Sequence, residues 1–365
     1  MATHRDPILI VLIAGIGDLI LASKGIRSIR RGYPEAEIHL LTSTDAAPVA
    51  RNYPYIDRVW SFPIRELRSD KGHALAVLGL IRRLRRIRYG MAVNLYSVAS
   101  AAGVLKMGLL FEAIRAEQKV GHDRYGFGLF LTSTIAADTF ENRHFADALT
   151  SVAIAAGGIP DDKGTDIFWD RSAEKRWSPL FRDGNGASGR PVVGIHPGSD
   201  QPLKRWAPER YSLVADSLTE MEGARIVLLG GPSETQIAGT IAQRMRHEAV
   251  NLAGKMSIDE LSYVISRLDL LVTNDSGPMH IGAAAGTPLV ALFGPSMPEQ
   301  FGPCAPPDRC RLVSHEIECR PCSQDGCPRP RCMEIISPGE VFGKCRELLQ
   351  VHRQVSQQMG KGEKR

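Results

Sequence analysis

The sequence predicts an α/β protein of two doubly wound domains, and three observations carry that prediction. Its 365 residues suffice for two units that each bury a core. Apolar strand-like runs alternate with amphipathic helical stretches twice over, once on each side of the glycine-rich segment RDGNGASGRP at 182–191. Tight glycine turns follow several of those apolar runs, and such turns lie at the carboxyl edge of an open parallel sheet, where ligands bind.

The first series opens with PILIVLIAGIGDLILASKGIRSIRRGYPEAEIHLLT: an apolar strand, a glycine turn, an amphipathic helix and a second strand. It continues through the strand MAVNLYS (91–97) and the helical ENRHFADALTSVAIAAGGI. The expected domains are 1–183 and 190–350, with a polar tail over 351–365 and a hinge near 182–191. The second series restarts with the strand VVGIHPGS, a helix from PERYSLVADSLTE, the strand RIVLLGG and a helix from SETQIAGTIAQRM. LDLLV (268–272) then reads as a buried parallel strand. Ser276 or Gly277 can cap the following helix, Pro278 suits its first turn because the missing N–H would be unpaired there, and Gly286 closes it before the strand PLVALFG. The helix N-terminus, with its unpaired N–H groups, favours an anion.

Composition narrows the class of ligand. At 43% hydrophobic and 23% charged the chain is an ordinary globular protein. A formal charge of +5 points to anionic small molecules or headgroups, and no nucleic-acid-binding signature accompanies it. No apolar run reaches the roughly 18–20 residues of a membrane span. The start MATHRDPILIVLIAG lacks an export pattern, so the expected address is the cytoplasm.

Four glycine-containing turns face one another in this reading: GIGDLI (15–20), HPGSDQPLKRW (196–206), GGPSE (230–234) and NDSGPMH (274–280). None matches a Walker loop, and GIGDLI lacks the third glycine of a dinucleotide fingerprint, so a different nucleotide ligand is implied. Asp18 is a lone carboxylate at a turn, placed to act as a base or to cap its own helix. Lys204 is a cation directly after a strand and turn, suited to a phosphate or to a solvated corner. The chain contains no Asp-x-Asp pair to hold a divalent ion, which argues for metal-independent chemistry.

The stretches TNDSGPMHIGAAAGTPLVALFGPS, IGDLILASKGIRSIRRGYPEAEIHLLT and HPGSDQPLKRWAPERY together resemble glycosyltransferase family 9, the ADP-heptose:lipopolysaccharide heptosyltransferases. The likeness runs from about residue 8 to about 345. It implies a GT-B fold, two Rossmann-like domains facing a cleft, with the acceptor on the first and the nucleotide sugar on the second. By similarity Asp18 matches the catalytic carboxylate and Lys204 the donor-phosphate lysine, with Ser199 and Asp200 in the preceding loop. Glu234 matches a nucleoside-contacting glutamate, and Lys255 and Met256 a segment beside the adenine. Asp275, Ser276, Gly277 and His280 match the donor-binding turn. Lys24 and Arg27 are candidate acceptor contacts. The implied reaction is inverting transfer of heptose from ADP-heptose to a lipopolysaccharide inner-core sugar, with no cofactor needed for catalysis. Lys-Gly at 24–25 replaces a proline-containing stretch and Asp200 replaces a hydroxyl, which keeps open another nucleotide sugar, a protein or other glycan acceptor, or a non-catalytic binding module.

Two features lie outside that scheme. LGLIRRLRRIR (78–88) sets five arginines on a helical apolar pattern, either as a solvated face or near the anionic phosphates of an acceptor at the inner membrane surface; Lys24, Arg27 and Arg30 would extend that patch. CRPCSQDGCPRPRC spaces Cys319, Cys322, Cys327 and Cys332 as C-x2-C-x4-C-x4-C. Four soft ligands can enclose a structural zinc or iron; reduced thiols or a local disulfide are the competing readings.

Overall fold

A computed structural model describes residues 6–69, 73–96, 98, 100–123, 126, 128–135, 143–181, 189–322, 327 and 329–362. Contacts divide the chain into one compact unit ending at Asp166 and another beginning at Ile167. Most of the expected hinge, 182–188, falls outside the described residues.

The first unit runs β1 (Ile8–Leu12), α1 (Ile16–Gly32), β2 (Ile38–Ser43), α2 (Ala47–Ala50), β3 (Arg58–Phe62), α3 (Ile64–Ser69), α4 (Ala74–Arg85), β4 (Met91–Asn94), α5 (Ala101–Ile114), β5 (Gln118–His122), β6 (Ser133–Ile135) and α6 (Phe145–Ala155). Its sheet has the order β3-β2-β1-β4-β5-β6, and every pairing is parallel. The central strands ILIVL and IHLLTS are buried at every position, as strands covered on both faces must be. Leu9 and Val11 of β1 pack with Leu80 and Leu84 of α4 and with Met107, Leu110 and Phe111 of α5. Right-handed crossovers put α1, which steps from β1 to β2, on the opposite face, where it packs against α6. The strand order reverses between β1 and β4, so the turn entering α1 sits at the switch point of the sheet.

The second unit runs α7 (Arg171–Trp177), β7 (Val192–His196), α8 (Pro208–Glu222), β8 (Arg225–Leu228), α9 (Thr235–Arg244), β9 (Ala249–Asn251), α10 (Ile258–Ser266), β10 (Leu270–Asn274), α11 (Gly277–Ala285), β11 (Leu289–Phe293), α12 (Pro298–Phe301), β12 (Cys310–Ser314), α13 (Arg331–Glu334) and α14 (Pro338–Gly362). Its parallel sheet has the order β12-β11-β10-β7-β8-β9, reversing between β7 and β10. Its core joins strand residues such as Ile195, Leu228, Val272 and Leu292 to Tyr211 of α8, Ile241 of α9 and Leu348 of α14. Gly286 ends α11 at φ +73, the left-handed conformation that glycine adopts without a Cβ clash.

The cations of α1 are committed within the first unit. Arg27 donates to both carboxylate oxygens of Asp161 at 3.0 and 2.7 Å, to the Asp166 carboxylate, and to the carbonyls of Lys163 and Gly164 at 3.1 and 3.0 Å. Tyr53 and Tyr55 donate their hydroxyls to Asp166 as well, at 2.9 and 3.1 Å. This network straps the segment after α6 onto α1. Lys24 pairs with Asp147 at 3.4 Å and Arg30 with Asp57. Lys24, Arg27 and Arg30 therefore do not extend the arginine patch of α4, because α1 covers the other face of the sheet and each cation has a carboxylate.

The hydrogen bond from Arg27 holds the Asp161 carboxyl down to about 2 from its ordinary 3.8, outweighing the opposing effect of burial. A folded-state value below the unfolded one means the carboxylate stabilises the fold above about pH 4, and that contribution is lost as pH falls toward 2. Asp161→Asn is accordingly expected to lower Tm by about 2–4 °C at pH 7 for each kcal/mol removed, and to flatten the acid-induced loss between pH 4 and 2. Thermal melts of the full chain across that range check both effects.

Candidate active site

The two switch points carry the sequence-predicted residues. In the first unit Gly15 is extended and precedes α1, and Asp18 sits in the first helical turn. The half-buried Asp18 carboxylate reaches back and accepts the Gly15 N–H at 3.3 Å. Ser43 steadies the same turn by donating to the carbonyl of Ala14 at 2.6 Å. Asp18 thus caps its own helix while its carboxylate stays half-buried at the carboxyl edge of the sheet.

In the second unit two loops meet at the carboxyl ends of β7 and β10. Lys204 Nζ lies 2.6 Å from Asp275 Oδ2, and the Ser296 hydroxyl donates to the same oxygen. Ser199 donates to the Asp275 carbonyl at 3.4 Å, while Arg205 donates to the Ser199 carbonyl at 2.8 Å. Ser276 precedes α11 but does not cap it; its hydroxyl turns back to the carbonyl of Asn274 at 3.2 Å. The N-terminus of α11, opening with Gly277 and Pro278, therefore has no side-chain cap from Ser276. An anion at that terminus would meet the positive end of a helix dipole, with Lys204 and its partner Asp275 close to the preceding loop. His280 is buried in the first turns of α11, and Asp200 is exposed on the neighbouring loop.

Glu234 closes the adjacent side. It accepts the Gly231 N–H at 2.7 Å and lies 3.3 Å from His196 Nε2. Burial pushes its carboxyl up, but the hydrogen bond and charge of His196, the Gly231 N–H and the charge of Arg205 outweigh burial and hold it below its ordinary value. A Cβ on Gly198 would fall 1.5 Å from Glu234 Oε1, so only glycine leaves room for this carboxylate. The segment carrying Lys255 and Met256 is fastened to the same loop by a hydrogen bond from Gly254 N–H to the carbonyl of Gly230, 2.9 Å long. Lys255 is exposed and donates to the carbonyl of Asn251 at 2.8 Å, and Met256 is half-buried.

Three residues of this assembly escape a reading of the sequence. His196 ends β7 and touches Glu234, Thr273 and Ser276. Asn274 donates to the carbonyls of Pro197 and Gly198 at 2.7 and 3.3 Å, and accepts from Tyr211 and from the Trp206 N–H at 2.8 and 3.3 Å. Ser296 reaches Asp275 from the end of β11. The usable signal was polarity itself: a histidine and an asparagine close strands that are otherwise apolar.

Cys319, Cys322, Cys327 and Cys332 line one cavity of about 1110 Å³, and all are free thiols. Among the described residues no three His, Cys, Asp or Glu side chains are gathered to hold a metal ion. The start of the segment is tied to the donor-side loops, since Cys322 N–H donates to the Pro295 carbonyl at 3.0 Å, immediately before Ser296.

Two Rossmann-like units, each built on a six-stranded parallel sheet, have the architecture of the GT-B class. The model of glycosyltransferase family 9 (heptosyltransferase) matches residues 77–332, and the chain belongs to that family. It is 30% identical over 291 residues to lipopolysaccharide heptosyltransferase 3 of Escherichia coli K12, covering 76% of this chain and 79% of that one. The fold matches a glycosyl transferase family 9 structure from Veillonella parvula at TM-score 0.80 and 23% identity, over 96% of this chain and 99% of that one. It also matches E. coli ADP-heptose lps heptosyltransferase II at TM-score 0.73 and 22% identity, over 94% and 98%. Among the described residues no helix is long and apolar enough to cross a membrane.

Proposed function

We propose that this glycosyltransferase moves heptose from ADP-heptose to a hydroxyl of a lipopolysaccharide inner-core sugar, with inversion and without a catalytic metal, at the cytoplasmic face of the inner membrane. The single observation that supports it best is the Lys204 and Asp275 pair set against the uncapped terminus of α11, in a family of heptosyltransferases. In this scheme Asp18 accepts the proton of the acceptor hydroxyl as its oxygen attacks the anomeric carbon. The bond to the diphosphate breaks on the opposite side, and ADP leaves as an anion. A helix terminus contributes only about 0.3–1 kcal/mol, up to about 2 when partly buried, so the charge of Lys204 must add to it. Ser199, Asp200, Gly277 and His280 line the sugar-phosphate end, and Glu234, with Lys255 and Met256, holds the nucleoside. Lys24 is the acceptor contact retained in this reading, whereas Arg27 serves the strap described above.

Calorimetry with ADP, UDP and GDP, then with the corresponding nucleotide sugars, tests the donor. ADP is expected to bind at least tenfold tighter than UDP or GDP; a preference for UDP would overturn the assignment.

A further inference from the structure

The outer layer of the first unit presents a surface that catalysis does not use. Strands β3 and β4 are followed by α4 and α5, which step across the sheet in the same direction and pack side by side. Both turn their buried residues to the sheet, so their opposite faces point outward together. On α4 that outward face reads Leu75, Leu78, Arg82, Arg85 and Arg86, at the spacing of successive helical turns. On α5 it carries Leu105 and Leu109, one turn apart. Leu129 flanks them, because its neighbour Phe130 packs on Phe111 of α5 with ring centroids 5.1 Å apart. These five leucines are 52–78% exposed on the helices and 88% exposed at Leu129. Single exposed leucines are ordinary; four on two adjacent helices with a fifth beside them form a patch that water covers at a cost.

The cationic half sets the partner. Arg82, Arg85 and Arg86 are exposed and enter no ion pair among the described residues. Arg83 lies over the ring of Trp60, 5.5 Å from its centroid, and Arg88 pairs with Glu117. A second copy meeting this face symmetrically would bring like charges together. Leucines beside unpaired arginines on one outward face suit an interface that is apolar below and anionic above.

We infer that the α4–α5 face docks on an anionic lipid bilayer, its leucines entering the acyl boundary and Arg82, Arg85 and Arg86 meeting phosphates. This deepens the membrane-surface part of the proposed function and rests on that part. The N-terminal halves of α4 and α5 follow the carboxyl ends of β3 and β4, so Leu75, Leu78 and Leu105 lie toward the same sheet edge as Asp18, the edge where a lipid-borne acceptor would be met, while the arginines at the end of α4 extend the patch toward the other edge.

Co-sedimentation of the full chain with phosphatidylcholine vesicles, with and without phosphatidylglycerol, tests the inference. The wild type is expected to prefer the anionic vesicles. Leu105→Asp with Leu109→Asp should lose at least tenfold in partitioning. Replacing Arg82, Arg85 and Arg86 by alanine should cost about fivefold per residue, on the order of a hundredfold together, and remove the preference for anionic lipid. Circular dichroism and ADP binding report whether each variant remains folded. Wild-type chain that binds neither vesicle, variants that partition like wild type, or self-association dispersed by the leucine changes without vesicle binding would each overturn it. Transfer to a delipidated, water-soluble acceptor measured in parallel separates a failure of docking from a failure of the glycosyltransferase reading.

Discussion

Asp18→Asn is expected to lower kcat by about 10²- to 10⁴-fold while leaving ADP affinity within twofold of wild type. The substitution is chosen because asparagine keeps the carbonyl oxygen that accepts the Gly15 N–H at 3.3 Å, and so preserves the start of α1. It removes only the ability to take a proton. If Asp18 is merely a cap, kcat will be unchanged; if it is the base, the loss falls on kcat and not on folding. Asp18→Ala removes both functions and should in addition destabilise the protein by about 0.5–2 kcal/mol, the usual cost of losing such a cap. Steady-state kinetics and thermal melts on the two variants distinguish the cap from the base.

Lys204→Met carries the second large effect, divided between binding and stability. A charge-assisted hydrogen bond to a phosphate contributes about 1.5–3 kcal/mol, so ADP affinity should fall by about 10- to 10²-fold. The same change leaves the Asp275 carboxylate, buried and now short of its cation, with the Ser296 hydroxyl. Removing one partner of a buried pair strands the other, so Tm should fall too. Adding Asp275→Asn to Lys204→Met relieves the stranded charge, and the double variant should recover Tm without recovering ADP binding. Recovery of both would show that Lys204 serves only to neutralise Asp275 and has no part in holding the donor.

The local parts of this architecture were legible because chain-local physics writes them. The β10–α11 unit follows from an apolar run, a proline in the first helical turn and Gly286 at positive φ, although the strand lies two residues later than its pattern suggests, at Leu270–Asn274. The long-range pairs were not legible. His196 meets Glu234 across 38 residues, Lys204 meets Asp275 across 71, and Arg27 meets Asp161 across 134. No periodicity encodes such partners; the order of strands in the sheet does. That is why Arg27 reads from sequence as an acceptor contact beside Lys24, whereas the fold surrounds it with two carboxylates and two carbonyls. The arginines of α4 were visible as a pattern, but the leucines outside α4 that share its face emerge only once α5 is laid beside it.

Asn274 gives the loops at the carboxyl ends of β7 and β10 a property that their separate contacts do not convey. One amide spends both its oxygen and its nitrogen fastening the chain from Pro197 to Tyr211 onto the end of β10. Loops fastened in this way before a nucleotide arrives would need little further ordering, so under the proposed function little conformational entropy should be lost on binding. Donor capture by this unit should therefore resemble a key entering a cut lock more than a hand closing on a ball.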